Sequence, residues 1–132
     1  MTEKKRVLIV DDDESTARLL ARFLRDYDVT LAFDGVEGLE RAVATRPHLV
    51  ITDVWMPRMD GIEMVEALKG DPGLHHVPVI FLTAVGDTPN VAHAISAGAR
   101  HYLPKPIDTD KLLNLIKRDL AWEADAPDHH AT

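Results

Sequence analysis

The chain has 132 residues, 45% of them hydrophobic and 28% charged, which is enough to bury one core and too few for a second. With 15 basic against 22 acidic residues and a net charge of −7, its surface disfavours a nucleic-acid backbone, and no apolar run approaches the roughly 20 residues of a bilayer span. The absence of cysteine excludes disulfides, thiol nucleophiles and cysteine-ligated zinc, and the basic start Met1 to Arg6 lacks the apolar stretch of a signal peptide, so a cytoplasmic protein is expected.

In chain order, Val7-Leu8-Ile9-Val10 is the first predicted strand, and its unbroken hydrophobicity suits a strand buried on both faces of a parallel sheet. Asp11-Asp12-Asp13 follow it. Ser15 then precedes a helical pattern carrying Leu19, Leu20, Phe23 and Leu24. Val29 to Ala32 reads as a weaker strand, suited to an edge, and Asp34 with Glu37 forms a capping-box pattern ahead of Leu39 and Val43. Leu49-Val50-Ile51 is a second central strand, ending at Asp53. Asp60 and Glu63 repeat the capping pattern before Met64, Val65 and Leu68, and Asp71-Pro72-Gly73 marks a turn. Val77 to Leu82, broken only by Pro78, is the third central strand, with Thr83 behind it. After the turn at Gly86-Asp87, Thr88-Pro89 starts a fourth helix and Gly98 closes it. Tyr102-Leu103 is the other edge strand, leading to Lys105, and Thr109 caps a last helix with Leu112, Leu113, Ile116 and Leu120. Glu123 to Thr132 is small and polar and reads as a frayed, flexible tail, so one domain over residues 1–122 is expected with no output domain after it.

Strand and helix alternate five times, which predicts an α/β fold with a five-stranded, doubly wound parallel sheet and right-handed crossovers. Ligands of such sheets sit beyond the carboxyl ends of the strands, and there the sequence delivers Asp11, Asp12, Asp53, Thr83 and Lys105. Crowded carboxylates repel one another unless a cation sits among them, and an all-oxygen set without matching His or Cys suits Mg²⁺ with a phosphate as guest. Thr83 can donate to that phosphate, Lys105 can neutralise it, and Asp53 is left as the nucleophile.

Val7 to Asp13, Asp53-Val54-Trp55-Met56-Pro57-Arg58-Met59-Asp60-Gly61, Leu82-Thr83-Ala84 and Tyr102-Leu103-Pro104-Lys105-Pro106 together resemble the signature blocks of the CheY-like response-regulator receiver family, in family order and spacing over residues 5 to about 120. The resemblance implies a flavodoxin-like (βα)5 fold with strand order 2-1-3-4-5. It implies that Asp53 takes a phosphoryl group from a sensor histidine kinase or histidine phosphotransfer protein. It makes Asp11 and Asp12 the acidic pair that organises Mg²⁺, with the Trp55 backbone carbonyl and Asp53 as further ligands. Lys105 would hold the phosphoryl oxygens, Lys105-Pro106 would be a cis peptide, and Thr83 with Tyr102 would be a switch pair. The surface of the fourth helix, fifth strand and fifth helix would then control a downstream protein target, and phosphorylation-dependent homodimerisation is among the outcomes the resemblance allows. Trp55 and Val85 depart from the family pattern. Neither side chain can orient a hydrolytic water, so a shielded, long-lived phosphoryl group is expected.

Other readings compete with this one. Asp11-Asp12-Asp13-Glu14-Ser15 also resembles the DxDx(T/S) motif of haloacid-dehalogenase phosphatases, whose first aspartate is the nucleophile, but that family usually has a cap insertion and another acidic pair near its end. A receiver-like module that binds partners without phosphorylation would commonly lack the acidic pair, the threonine or the lysine. Asp13 and Asp34 read as helix caps, Tyr102 alone as an edge-strand aromatic, Met56 and Met59 as loop packing, and the seven histidines are too scattered for a metal site. The kinase, the target and the pathway are not written in the sequence.

Overall fold

In the computed structural model, residues 4–83 and 96–130 are described, residues 121–130 by their backbone alone. Strands β1 (Arg6–Val10), β2 (Asp28–Ala32), β3 (Leu49–Asp53), β4 (Val79–Thr83) and β5 (His101–Pro104) form one parallel sheet in the order β2-β1-β3-β4-β5. Helices α1 (Glu14–Phe23), α2 (Gly35–Thr45) and α3 (Gly61–Lys69) and a C-terminal helix (Thr109–His130) cover it. The continuous apolar runs are the three inner strands, and the two weaker runs are the edges. The expected helix start at Thr88-Pro89, the Gly86-Asp87 turn and Val85 lie outside the described residues; residues 96–97 are helical, and Gly98 follows at φ +114°.

Alternation along each strand explains why the runs must be apolar throughout. Leu8, Val10, Val50, Val79 and Phe81 point to the face covered by α2 and α3, where they meet Ala42, Met64, Val65 and Leu68. Val7, Ile9, Leu49, Ile51, Ile80 and Leu82 point to the other face, against Ala17 and Leu20 of α1 and Leu112, Ile116 and Leu120 of the C-terminal helix. Each such fully buried side chain contributes about 1.5–3 kcal/mol.

Three helix ends differ from expectation. α1 is capped by Asp13, not Ser15: its carboxylate accepts from the N–H groups of Ser15 and Thr16, because an aspartate just before the helix reaches the second and third free amides. Asp108 likewise takes the capping place expected of Thr109, accepting from the Lys111 N–H at 3.1 Å. The C-terminal helix runs on to His130 through the segment read as a tail, where alanines 121, 124 and 126 favour helix. Asp60 and Glu63 form the full reciprocal capping box on α3. At α2 only half of it forms: Asp34 accepts from the Glu37 N–H, while Glu37 turns back to the Phe33 N–H at 2.7 Å.

Candidate functional site

Register alone brings the chemistry together. The sheet order turns back at β1, where β2 lies to one side and β3 to the other, and Val10 pairs with Thr52, so Asp11 and Asp53 emerge side by side. Asp53 pairs with Leu82, and Thr83 comes next; Thr83 pairs with Pro104, and Lys105 comes next, its N–H donating to the Thr83 carbonyl at 2.7 Å. The carboxylates of Asp11, Asp12 and Asp53 each offer an oxygen, and these atoms lie within 4.8 Å of one another. Lys105 reaches across, its Nζ 2.9 Å from Asp53 Oδ2 and 3.3 Å from Asp11 Oδ2. Backbone donors fix the other oxygens: Val54 N–H on Asp53 Oδ1 at 2.8 Å and Asp13 N–H on Asp11 Oδ1 at 2.9 Å.

The three acids differ in exposure, and that sets their electrostatics. Asp11 is fully buried, Asp53 is half-buried and Asp12 faces solvent. Burial pushes the Asp11 carboxyl above its ordinary range; the charge of Asp53 adds to this, and the Asp13 N–H and Lys105 only partly offset it. At Lys105 burial works downward, but the hydrogen bond and charge of Asp53, joined by Asp11, outweigh it and hold the ammonium above its usual range. Asp13, by contrast, is held low by hydrogen bonds from Thr16 and Ser15 and serves as a cap. Two of the three carboxylates, Asp11 and Asp53, therefore share one ammonium, and an all-oxygen cluster with one member dry and one open to water fits a hard divalent cation such as Mg²⁺.

Around the cluster, the loop from Val54 to Asp60 is fastened at several points. Gly61 N–H donates to Val54 O at 2.7 Å, Gly35 N–H to Met59 O at 3.1 Å, and Arg58, in the left-handed region at φ 69°, sends both Nε and Nη2 to Asp34 Oδ2. Met56 and Met59 pack against the core, as expected of loop methionines, while the Trp55 indole stands out at 56% exposure. Thr83 is buried, and its hydroxyl donates to Leu103 O at 3.4 Å, tying β4 to β5; Tyr102 is exposed on β5. Lys105-Pro106 is cis.

Sequence reasoning named the acids and the lysine but not their supports. The Asp34–Arg58 clamp joins residues 24 positions apart, and no local signal could show it. The Asp13 N–H bond to Asp11 follows from a cap two residues on, which the triple aspartate could have suggested. Among the described residues no histidine joins the acidic cluster. His48 Nδ1 accepts from the Arg6 N–H, and His101 Nε2 lies 3.3 Å from Asp119 on the C-terminal helix.

The doubly wound parallel sheet, with an acidic triad and a lysine beyond its strand ends, makes this an α/β domain with an acidic pocket at its carboxyl edge. Residues 7–117 match the family described as the response regulator receiver domain, and the chain belongs to that family. It is 35% identical over 128 residues, 96% of its length, to the DNA-binding response regulator MtrA of Mycobacterium tuberculosis, of which it covers 55%. Chemotaxis response regulator CheY4 of Vibrio cholerae superposes with a TM-score of 0.81 at 32% identity, covering 88% of this chain and 98% of that one. The receiver domain of sensor histidine kinase PA1611 from Pseudomonas aeruginosa, solved with a magnesium ion coordinated in its active-site cleft, superposes with a TM-score of 0.82 at 25% identity, covering 91% and 99%. The chain spans about half or less of the length of the curated relatives it matches. Among the described residues no helix is long and apolar enough to cross a membrane.

Proposed function

We propose that Asp53 is a phosphoryl acceptor and that the domain is a switch set by its own modification, not a turnover enzyme. The observation that carries this reading is the meeting of Asp11, Asp12 and Asp53 with Lys105 beyond three different strands, β1, β3 and β5, where the pairing register leaves no other nucleophile among the described residues as well placed. An Asp53 carboxylate oxygen attacks the phosphorus of a phosphohistidine, the N–P bond breaks, and the imidazole nitrogen leaves and takes up a proton. Val54 N–H orients the attacking carboxylate, and Lys105 exchanges its bond to Asp53 for one to a phosphoryl oxygen. Asp11, Asp12, Asp53 and the Trp55 backbone carbonyl would hold Mg²⁺, which when bound neutralises charge on the transferring group. Attack by water on the acyl phosphate returns the carboxylate.

The signal follows from Thr83. Its hydroxyl now rests on Leu103 O; a phosphoryl oxygen on Asp53 offers a charged acceptor instead, and movement of Thr83 toward it frees space for the exposed Tyr102 to turn inward. The surface around β5, the C-terminal helix and the helix before Gly98 then changes and selects a downstream protein, or a second copy of the chain. The phosphoryl source is a sensor histidine kinase or a histidine phosphotransfer protein.

Incubation with acetyl phosphate and Mg²⁺ is expected to add one acid-labile phosphoryl group, seen as a single mass increment, and Asp53→Ala is expected to abolish it. Asp12→Ala is expected to fail through weakened Mg²⁺ binding. Equal labelling of Asp53→Ala would refute the acceptor, and undiminished Mg²⁺ affinity in Asp12→Ala would remove the acidic pair. Amide shift changes on beryllofluoride binding should reach Tyr102 and Leu113; changes confined to the Asp53 pocket would refute the output face.

A further inference from the structure

We infer that the Trp55 side chain is a recognition surface for the protein that donates the phosphoryl group, packing against that protein beside its phosphohistidine and favouring protein donors over small acyl phosphates. This rests on the reading of Asp53 as acceptor. Among the described residues Trp55, at 56% exposure, is more open than the other exposed large apolar side chains, Leu19 at 52%, Val43 at 47%, and Phe23 and Tyr102 at 45%. Its place matters more than its rank. It lies two positions beyond Asp53, with only Val54 between them, a span of about 7 Å at full extension, so any protein that brings an imidazole up to Asp53 must cover or skirt the indole.

The exposure is imposed by the loop and is not slack in it. Val54 is tied at both its N–H, to Asp53 Oδ1, and its carbonyl, to Gly61 N–H, and both methionines of the loop turn inward onto the core. Arg58 at positive φ and its two bonds to Asp34 fasten the far side of the loop to α2. A tryptophan presented on a fixed backbone loses little freedom when covered, which is why such residues concentrate binding energy in interfaces. A donor the size of acetyl phosphate has nothing to lay over the ring. Asp12, which clusters with Asp53, and Asp13 and Glu14 that follow it are exposed and acidic, so the matching donor surface carries an apolar patch for the indole together with basic side chains.

The test compares two donors on one chain: acetyl phosphate, and the phosphorylated histidine phosphotransfer domain that labels the wild type fastest in a panel. The readout is the ratio of their second-order rate constants for labelling Asp53. Trp55→Ala is expected to lower the protein-to-acetyl-phosphate ratio by about tenfold or more, and Trp55→Phe to restore part of it. Equal loss with both donors would place Trp55 in the geometry of the acidic site and overturn the inference, as would a ratio unchanged within about twofold. Failure of the wild type to label at Asp53 with either donor would instead defeat the acceptor reading, and this inference with it.

Discussion

The two rims of the sheet use charge in opposite ways. At the amino rim, Arg6 donates from Nε and Nη2 to the Thr45 and Arg46 carbonyls, Lys69 donates to the carbonyls of His75 and Val77, and Lys4 to that of Arg25. There each cation closes backbone groups that the strand and helix ends leave open, even though burial pushes the Lys69 ammonium below its usual range. At the carboxyl rim three carboxylates crowd together, two of them paired with one lysine, and burial drives the Asp11 carboxyl upward. Charges at the first rim stabilise the fold, whereas those at the second are held together against their own repulsion. Under the proposed function, a cation and a phosphoryl group would complete a rim of the second kind.

The largest effect is expected from Gly61→Ala, which strikes the scaffold of the carboxyl rim. A Cβ at Gly61 would land on the Asp53 carbonyl oxygen, a backbone atom that cannot step aside. Thermal or denaturant unfolding should show a loss of roughly 3 kcal/mol or more. Next comes Arg6→Met at the amino rim: its carbonyl partners lose a charged donor, and about 2 kcal/mol should go while Mg²⁺ affinity at the other rim stays unchanged. Asp60→Ala removes the α3 capping box and should cost about 1 kcal/mol in the same measurement.

Asp11→Asn should act with the opposite sign. A buried acid whose folded pKa is raised binds its proton more readily in the native than in the unfolded state, so its ionisation destabilises the protein above that range. Without divalent cations the variant should melt above the wild type at neutral pH, and the gap should close as pH falls into the raised range of Asp11; Mg²⁺ should stabilise the wild type only. Lower melting of the variant would show that the pair with Lys105 outweighs burial. The smallest effect is expected from Trp55→Asn, where a side chain that can hold water should speed phosphate release a few-fold, a barrier change of about 1 kcal/mol.

Much of this contrast was legible in the sequence, and the reason is periodicity. Unbroken runs such as Val7 to Val10 can only be inner strands, and once their order is set, the residues after each strand must share an edge, so Asp11, Asp53, Thr83 and Lys105 could be placed together. The amino rim was not legible, because Arg6 meets Thr45 and Arg46 through geometry that no spacing announces. Nor were the true caps Asp13 and Asp108, since neighbouring residues at each start compete for the same amides and only backbone direction decides. The state of Thr83 was also beyond the sequence: its hydroxyl could serve a phosphoryl oxygen or Leu103, and the fold alone gives it the latter.

The most direct measurement locates the modified side chain. After brief exposure to acetyl phosphate and Mg²⁺, borohydride reduction converts an aspartyl phosphate to homoserine, and peptide sequencing by mass spectrometry reads its position. Homoserine at residue 53 alone is the predicted result. Homoserine at residue 11 would contradict it, and would make the first strand's aspartate the nucleophile and Asp53 one of its supports.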